Sequence, residues 1–144
     1  MNVFIENPAG TNIKNIYNEK TFEFIKSRPY SRTTPFAYGF IIGTKSGDGD
    51  ALDCFVITDQ PLKSSQRVAC EPLAMLEYFE DDELDHKILM RIEDEQHKLH
   101  QPELEQIEDF LLHVFDHLPE KRVRIGKVQG TDKAHKLIES LATP

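Results

Sequence analysis

The sequence predicts a mainly β domain of the α+β class, in which a small barrel of short strands carries two helices on its outside. In the first two thirds of the chain, short apolar segments follow one another at close spacing and are separated by turn residues. In the last third, apolar residues recur three and four positions apart, as on one face of a helix. No repeat, low-complexity tract or linker divides the sequence, so one domain is predicted over residues 1–144.

The predicted strands are apolar segments that stop at turn residues. The first four are VFIEN, TFEFIK, FAYGFII and ALDCFVIT, and each is followed by a segment rich in Pro, Gly, Asp or Ser. Next, RVACEPLAMLEYF and HKILMRI flank the acidic segment EDDELD, which predicts a hairpin. A last strand, RVRIGKVQG, lies between the two predicted helices.

The first helix is predicted from one apolar face, made of Leu104, Ile107, Leu111, Val114 and Leu118. Proline is common at the start of helices and just beyond their ends, so this helix should begin near Pro102 and end at Pro119. The terminal helix is predicted from the apolar positions Ala134, Leu137, Ile138 and Leu141. Thr131 is its expected N-cap, because a threonine side chain can accept a hydrogen bond from the first turn.

Composition and charge exclude several classes of function. The net charge of −8 argues against nucleic-acid binding by a basic surface, although a bound metal would still allow an anionic substrate. No apolar segment approaches the length of a membrane span, and MNVFIENPAG lacks the features of a signal peptide. Cys54 and Cys70 lie in apolar segments, as expected of buried thiols in a reducing compartment. We therefore expect a soluble, cytoplasmic protein.

The segment GDGDALDC is unusual because three carboxylates lead directly into an apolar strand. Asp48 and Asp50 could belong to a solvated turn, where aspartate and glycine are common. Asp53, however, lies inside ALDCFVI, where a buried charge without a partner is costly. Asp53 should therefore face either a cation or a water-filled cavity.

Two kinds of metal site can contain a cluster of aspartates: an EF-hand calcium loop and a magnesium site. An EF-hand calcium loop fails, because Leu52 and Asp53 occupy its fifth and sixth positions and Asp59 replaces its final glutamate. A magnesium site fits better, since Mg²⁺ takes oxygen ligands and usually bridges a few carboxylates to substrate phosphates. Two such ions can hold the attacking and leaving oxygens of a phosphoryl transfer.

Four segments together resemble the soluble family I inorganic pyrophosphatases. DGDALD is similar to the signature D-G-D-P-[LV]-D, and TPFAYGFI to Y-P-x-x-Y-G-[FY]-I upstream of it. IENPAGTNIK is similar to the opening E-I-P-x-x-x-x-x-K-Y-E, and EDDELDHK to D-x-x-x-x-D-x-K. These segments follow the family's order between Ile5 and Lys87.

The resemblance implies a five-stranded, OB-like closed barrel with additional strands, peripheral helices and the site at one mouth. It implies that Asp50 is the base toward the attacking water. It also implies metal ligands at Glu6, Asp48, Asp53, Glu80 and Asp85, and substrate contacts at Lys14, Lys26, Tyr38 and Lys87.

The sequence departs from the family pattern at several positions. Ala51 replaces the signature proline, and Thr34 replaces the first tyrosine of its motif. The pattern has aspartate, usually arginine, and glutamate at the positions occupied here by Glu80, Lys26 and Ile16. The family's helix carries a Tyr-Lys pair that binds phosphate, and the aligned residues here are Val114 and Phe115.

Two hypotheses follow from the resemblance. The first is magnesium-dependent hydrolysis of inorganic pyrophosphate by a homo-oligomer, without a nucleic-acid or membrane partner. The second is a divergent relative of low or no activity, which binds metal and a phosphate compound or serves as a scaffold. Phosphate release from pyrophosphate distinguishes the two.

Overall fold

Nine strands and two helices make up the fold, and the computed structural model describes every residue from Met1 to Pro144. The strands are β1 (Asn2–Asn7), β2 (Ile13–Tyr17), β3 (Phe24–Pro29), β4 (Ala37–Ile41), β5 (Asp53–Val56), β6 (Arg67–Glu80), β7 (Glu83–Leu84), β8 (Lys87–Ile92) and β9 (Val123–Gln129). The helices are α1 (Gln101–His113) and α2 (Thr131–Leu141).

Five of the strands close into a ring. The pairings run from β1 to β4, β5, β8 and β6, and β6 pairs back with β1. All of them are antiparallel except the pairing of β5 with β8. Strands β7 and β9 extend β6, and β2 and β3 form a separate hairpin. The predicted five-stranded OB-like barrel with additional strands and two helices is therefore confirmed.

Alternating residues of the barrel strands divide the core into clusters. Val3 and Ile5 of β1 belong to the cluster that packs against α2, whereas Phe4 between them belongs to an aromatic cluster with Phe40. A third cluster joins Phe55 and other residues of the barrel to α1. This arrangement explains why β1, β4, β5 and β8 are apolar almost throughout, since both faces of each strand are buried.

Gly39 of β4 is required by a close approach of two backbones. It lies opposite Ile5 of β1, and a Cβ atom at this position would lie only 1.9 Å from the carbonyl oxygen of Phe4. No side chain fits there, so the glycine of FAYGFI allows β4 to pair with β1 beside the site.

The end of α1 differs from the prediction. The helix ends at His113 instead of Pro119, and Leu118 is 46% exposed. The carbonyl oxygen of Val114 accepts a hydrogen bond from the backbone N–H of Ser31, at 3.0 Å. Turns of the i to i−3 type then replace the helical pattern, as between Leu118 and Phe115. A contact with a distant segment thus ends the helix, and the apolar spacing could not reveal it.

Two smaller expectations also need correction. Thr131 is the first residue of α2 and not its N-cap, which is Gly130. The Thr131 hydroxyl instead donates a hydrogen bond to the carbonyl oxygen of Leu73 on β6, at 3.0 Å. Strand β2 was not among the predicted strands, because its residues show neither a long apolar segment nor a strict alternation.

Two further sequence observations have structural counterparts. Cys54 and Cys70 are both buried and unpaired, as expected of small apolar core residues. Neither α1 nor α2 has the length and the apolar character of a helix that crosses a membrane.

Candidate active site

The parallel pairing of β5 with β8 places the candidate site at one mouth of the barrel. Because parallel strands run in the same direction, both begin at the same end of the sheet. In this register Cys54 lies opposite Ile88, so the preceding residues, Asp53 and Lys87, are neighbours. Two residues that are 34 positions apart in the sequence are thereby brought into contact.

Lys87 is the cation that Asp53 requires. Its ammonium donates hydrogen bonds to Asp53 Oδ2 at 2.8 Å, to Asp85 Oδ2 at 3.0 Å and to the Tyr38 hydroxyl oxygen at 3.0 Å. It also lies over the ring of Tyr78, 5.4 Å from the centroid. Burial lowers the pKa of Lys87, but the carboxylates of Asp53 and Asp85 raise it by more. The lysine therefore stays charged although it is only 3% exposed.

The pKa values of two groups that contact Lys87, those of Asp85 and Tyr38, are also shifted. Burial raises the pKa of Asp85, the charge of Lys87 partly offsets this effect, and Asp53 adds to it. Burial also raises the pKa of the Tyr38 hydroxyl, so this group is neutral and can donate a hydrogen bond. Tyr38, Asp53, Asp85 and Lys87 thus form one charged and hydrogen-bonded group.

A cavity of about 330 Å³ opens above this group. It is lined by seven carboxylates and two lysines, together with one leucine: Asp48, Asp50, Asp53, Glu80, Asp81, Glu83, Asp85, Lys14, Lys121 and Leu84. Five of the six carboxylates expected at the site line this cavity, and the sixth, Glu6, is buried nearby. Asp81 and Glu83 were not predicted as site residues.

The donors in this cavity suit a hard cation. They are carboxylate oxygens without any sulfur or imidazole nitrogen, which is the ligand set of magnesium and calcium. No three of them are close enough together to hold an ion as they stand. Between Asp53 and Asp85 the ammonium of Lys87 supplies the positive charge. A metal site in this cavity therefore requires a rearrangement of the carboxylate side chains.

The acidic loop before β5 holds Asp50 in a defined turn. Asp48 Oδ1 accepts hydrogen bonds from the backbone N–H of Asp50 at 3.0 Å and from the hydroxyl of Ser46. Gly49 between the two aspartates has a φ angle of +90°, which favours glycine. Burial raises the pKa of Asp50, Asp48 and Asp53 raise it further, and Lys14 opposes them. A carboxylate in such surroundings is a suitable proton acceptor.

Glu19 is a site residue that the sequence analysis missed. Its Oε1 atom accepts a hydrogen bond from the backbone N–H of Ala51, at 2.9 Å. The family signature has proline at this position, and proline has no N–H to donate. Burial raises the pKa of Glu19, the Ala51 hydrogen bond lowers it, and Asp50 is the largest of the nearby charges that raise it. The replacement of proline by Ala51 therefore allows a contact that fastens the acidic loop to the segment after β2.

Glu6 lies behind the cavity on β1 and is 7% exposed. Burial raises its pKa to about 8, Asp53 raises it as well, and Lys14 opposes them. The side chain therefore carries a proton at neutral pH when no metal is bound.

This raised pKa predicts how stability depends on pH. The unfolded chain releases the Glu6 proton near the ordinary pKa of 4.5, whereas the folded protein keeps it up to about pH 8. Glu6 therefore costs stability as the pH rises through this window, by roughly 5 kcal/mol in total. With a chelator present, Glu6→Gln should be more stable than the parent at pH 8 and nearly equal to it at pH 4.5, as measured by urea unfolding. Glu139→Gln, on the exposed side of α2, is the control and should be as stable as the parent at both pH values. If Glu6→Gln also matched the parent at both pH values, the raised pKa of Glu6 would be wrong.

The predicted substrate lysines are placed differently. Lys14 of β2 lines the cavity, as expected, whereas Lys26 is exposed on β3 opposite Ile16 and does not line it. The residue directly opposite Lys14 is Arg28. Opposed residues of an antiparallel pair lie on the same face, so Arg28 is nearer to Lys14 than Lys26 is. Arg28, which like Lys26 does not line the cavity, is therefore a second cation beside Lys14 that the sequence analysis missed.

The remaining departures from the family pattern make the inner part of the site more apolar. Val114 and Phe115 line a small pocket of about 40 Å³ together with Tyr30, Tyr38 and Lys87. Neither offers a hydroxyl or an ammonium to a phosphate. Thr34 is buried, its hydroxyl has no hydrogen-bond partner, and it lines neither cavity.

The family model described as inorganic pyrophosphatase matches residues 3–143. The chain belongs to the inorganic pyrophosphatase family. The resemblance seen in four short segments therefore extends over almost the whole chain.

Relatives within the inorganic pyrophosphatase family agree with this assignment. The inorganic pyrophosphatase of Mycoplasma pneumoniae is 32% identical over 142 residues, which cover 96% of this chain and 70% of that protein. The one from Mycoplasma genitalium is 35% identical over 78% of this chain, but only 61% of that protein is matched. The solved structure of the Neisseria gonorrhoeae inorganic pyrophosphatase superposes with a TM-score of 0.90 at 30% identity, covering 98% of this chain and 88% of that one. The chain thus shares the pyrophosphatase fold, although it spans only about three fifths of the Mycoplasma genitalium protein.

Proposed function

We propose that the protein hydrolyses inorganic pyrophosphate to two phosphates and depends on magnesium for this reaction. The observation that carries the proposal is the cavity in which Asp48, Asp50, Asp53 and Asp85 converge beside Lys14. Membership of the inorganic pyrophosphatase family supports the choice of substrate. An acidic cavity of this kind would repel pyrophosphate, so binding requires a cation.

The oxygen donors of the cavity fit magnesium, and five residues would hold it: Glu6, Asp48, Asp53, Glu80 and Asp85. Magnesium bound there would offset the carboxylate charge and lower the pKa of a water molecule. Asp53 and Asp85 can contribute because Lys87 keeps both carboxylates at the mouth of the barrel. Glu6, whose pKa is raised by burial and by Asp53, would have to release its proton to solvent in order to bind a cation, so metal binding there would be tighter at higher pH.

The other residues bind the substrate and move the proton. Asp50 accepts the proton of the attacking water, because its carboxylate lines the cavity and its pKa is raised toward neutrality. Lys14, which lines the cavity, holds phosphate oxygens by charge. Lys87 and the neutral hydroxyl of Tyr38 belong to this group by resemblance; both line the small inner pocket, where the Lys87 ammonium donates to Asp53, Asp85 and Tyr38. Lys26 belongs to this group by resemblance, and the register of β2 and β3 favours Arg28 for the same role.

Release of phosphate from pyrophosphate in the presence of magnesium tests the proposal. The parent protein should release phosphate from pyrophosphate with magnesium and not with a chelator, and more slowly from ATP or a simple phosphomonoester. A protein that binds magnesium but hydrolyses none of these would contradict the proposal. That result would favour the divergent, inactive relative, for which the apolar residues Val114 and Phe115 are the supporting observation.

The remaining expectations stay predictions: a homo-oligomeric assembly, a cytoplasmic location and the lack of a nucleic-acid partner. Sedimentation of the purified protein would measure the first of these directly.

A further inference from the structure

The loop between α1 and β9 is fixed against the hairpin that carries Glu80. The backbone N–H of Asp81 donates to the carbonyl oxygen of Arg122 at 2.8 Å, and the N–H of Arg122 donates to Asp81 Oδ1 at 3.0 Å. The N–H of Lys121 donates to the carbonyl oxygen of Leu118 at 3.0 Å. Lys121 is thus held between two backbone contacts, although its sequence context, EKRVR, is typical of a solvated surface.

The Lys121 side chain turns toward the cavity. Its ammonium forms ion pairs with Glu80 and, at 3.4 Å, with Asp81 Oδ2. It also lies over the ring of Phe115, 5.3 Å from the centroid. Only 27% of the side chain is exposed, which is low for a surface lysine. These contacts place a positive charge at a defined point of the cavity wall.

Lys121 and Lys14 are the two cations that line the outer cavity, and they come from different elements of the fold. Glu80, the partner of Lys121, is one of the candidate metal ligands. If Glu80 binds a cation, Lys121 loses its nearest carboxylate and keeps its contacts with Asp81 and the ring of Phe115. Its ammonium is then available to an anion in the same cavity.

From this arrangement we infer that Lys121 is a substrate-binding residue, whose ammonium contacts a phosphate oxygen of the diphosphate at the cavity mouth. The inference rests on the proposed function for the identity of the substrate. It goes beyond that function because it assigns a cation outside the four matching segments. A lysine that only neutralised Glu80 would affect metal binding, whereas a substrate-binding lysine affects the binding of the anion.

The test compares anion binding with metal binding in one variant. Lys121→Gln removes the charge and keeps a polar side chain of similar length, and imidodiphosphate serves as a diphosphate that resists hydrolysis. Calorimetry on the magnesium-loaded proteins should show imidodiphosphate binding about tenfold weaker in Lys121→Gln, as expected for one lost charged hydrogen bond. Magnesium binding should be unchanged or tighter, since Glu80 is freed. Lys121→Arg should recover most of the affinity, and Lys133→Gln, exposed on α2, should equal the parent.

Each outcome separates this inference from the proposed function. Equal imidodiphosphate affinity in Lys121→Gln and in a parent that hydrolyses pyrophosphate would overturn the role of Lys121 alone. Weaker binding in Lys121→Gln, with a parent that binds but does not hydrolyse, would overturn the proposed function and support the role of Lys121. A parent that binds no imidodiphosphate would overturn both.

Discussion

Replacing Asp50 with asparagine should lower the rate of pyrophosphate hydrolysis about 10²- to 10⁴-fold, because an amide cannot accept the proton of the attacking water. Asparagine keeps the shape of the side chain and one acceptor oxygen, so the turn around Gly49 should survive. Magnesium affinity should fall only modestly. Phosphate release and calorimetric titration with magnesium measure the two effects separately.

Two further variants make this experiment specific to Asp50. Asp53→Asn should lower both magnesium affinity and rate, since it removes a carboxylate that lies against Lys87. Asp59→Asn, an exposed residue beyond β5, should change neither. Hydrolysis by Asp50→Asn at the parental rate would remove Asp50 from the mechanism.

Replacing Lys87 with methionine should have the largest effect on stability. The variant loses the cation that separates Asp53 from Asp85 and leaves both carboxylates partly buried without a partner. Breaking a buried ion pair from one side typically costs about 3 to 5 kcal/mol, and the lower end applies here because both carboxylates are partly exposed. Urea unfolding of the metal-free protein at pH 7.5 measures this loss.

The dependence of this loss on pH and on magnesium identifies its cause. Burial raises the pKa of Asp85, so this carboxyl takes up a proton more readily as the pH falls, and the difference in unfolding free energy between parent and variant should shrink at pH 4. Magnesium should stabilise Lys87→Met more than the parent, because the ion can replace the missing ammonium. Lys136→Met, exposed on α2, is the control. An equal loss at both pH values would indicate that Lys87 acts through packing and not through its charge.

The acidic part of the site could be predicted from the sequence because its pattern is local. Asp48, Asp50 and Asp53 lie within one short segment, and the position of Asp53 inside an apolar strand predicted either a cation or a water-filled cavity beside it. Sequence reasoning alone left that cation unnamed, and the resemblance placed Lys87 at the site only as a phosphate contact. The register of β5 and β8 shows that Lys87 is the partner of Asp53.

Glu19, Arg28 and Lys121, which the sequence analysis did not predict, lie outside the four segments that resemble the family. Glu19 acts through a backbone N–H that exists only because Ala51 replaces a proline. Lys121 is brought to the cavity by the contact between Asp81 and Arg122, whose partners are far apart in the sequence. The choice between Lys26 and Arg28 depends on a strand register that contains an irregularity near Ile16, and such shifts leave little trace in the sequence.

The closed ring of strands also bears on how the chain folds. Strand β1 pairs with β6, and β5 pairs with β8, although long segments of sequence separate the two strands of each pair. Pairings of this kind carry a large entropic cost of loop closure and make folding slow compared with that of helical proteins of the same size. Because the carboxylates and lysines of the cavity meet only after both pairings have formed, no intermediate with an open ring can bind ligand tightly. Recovery of ligand binding during refolding should therefore follow the formation of these long-range pairings.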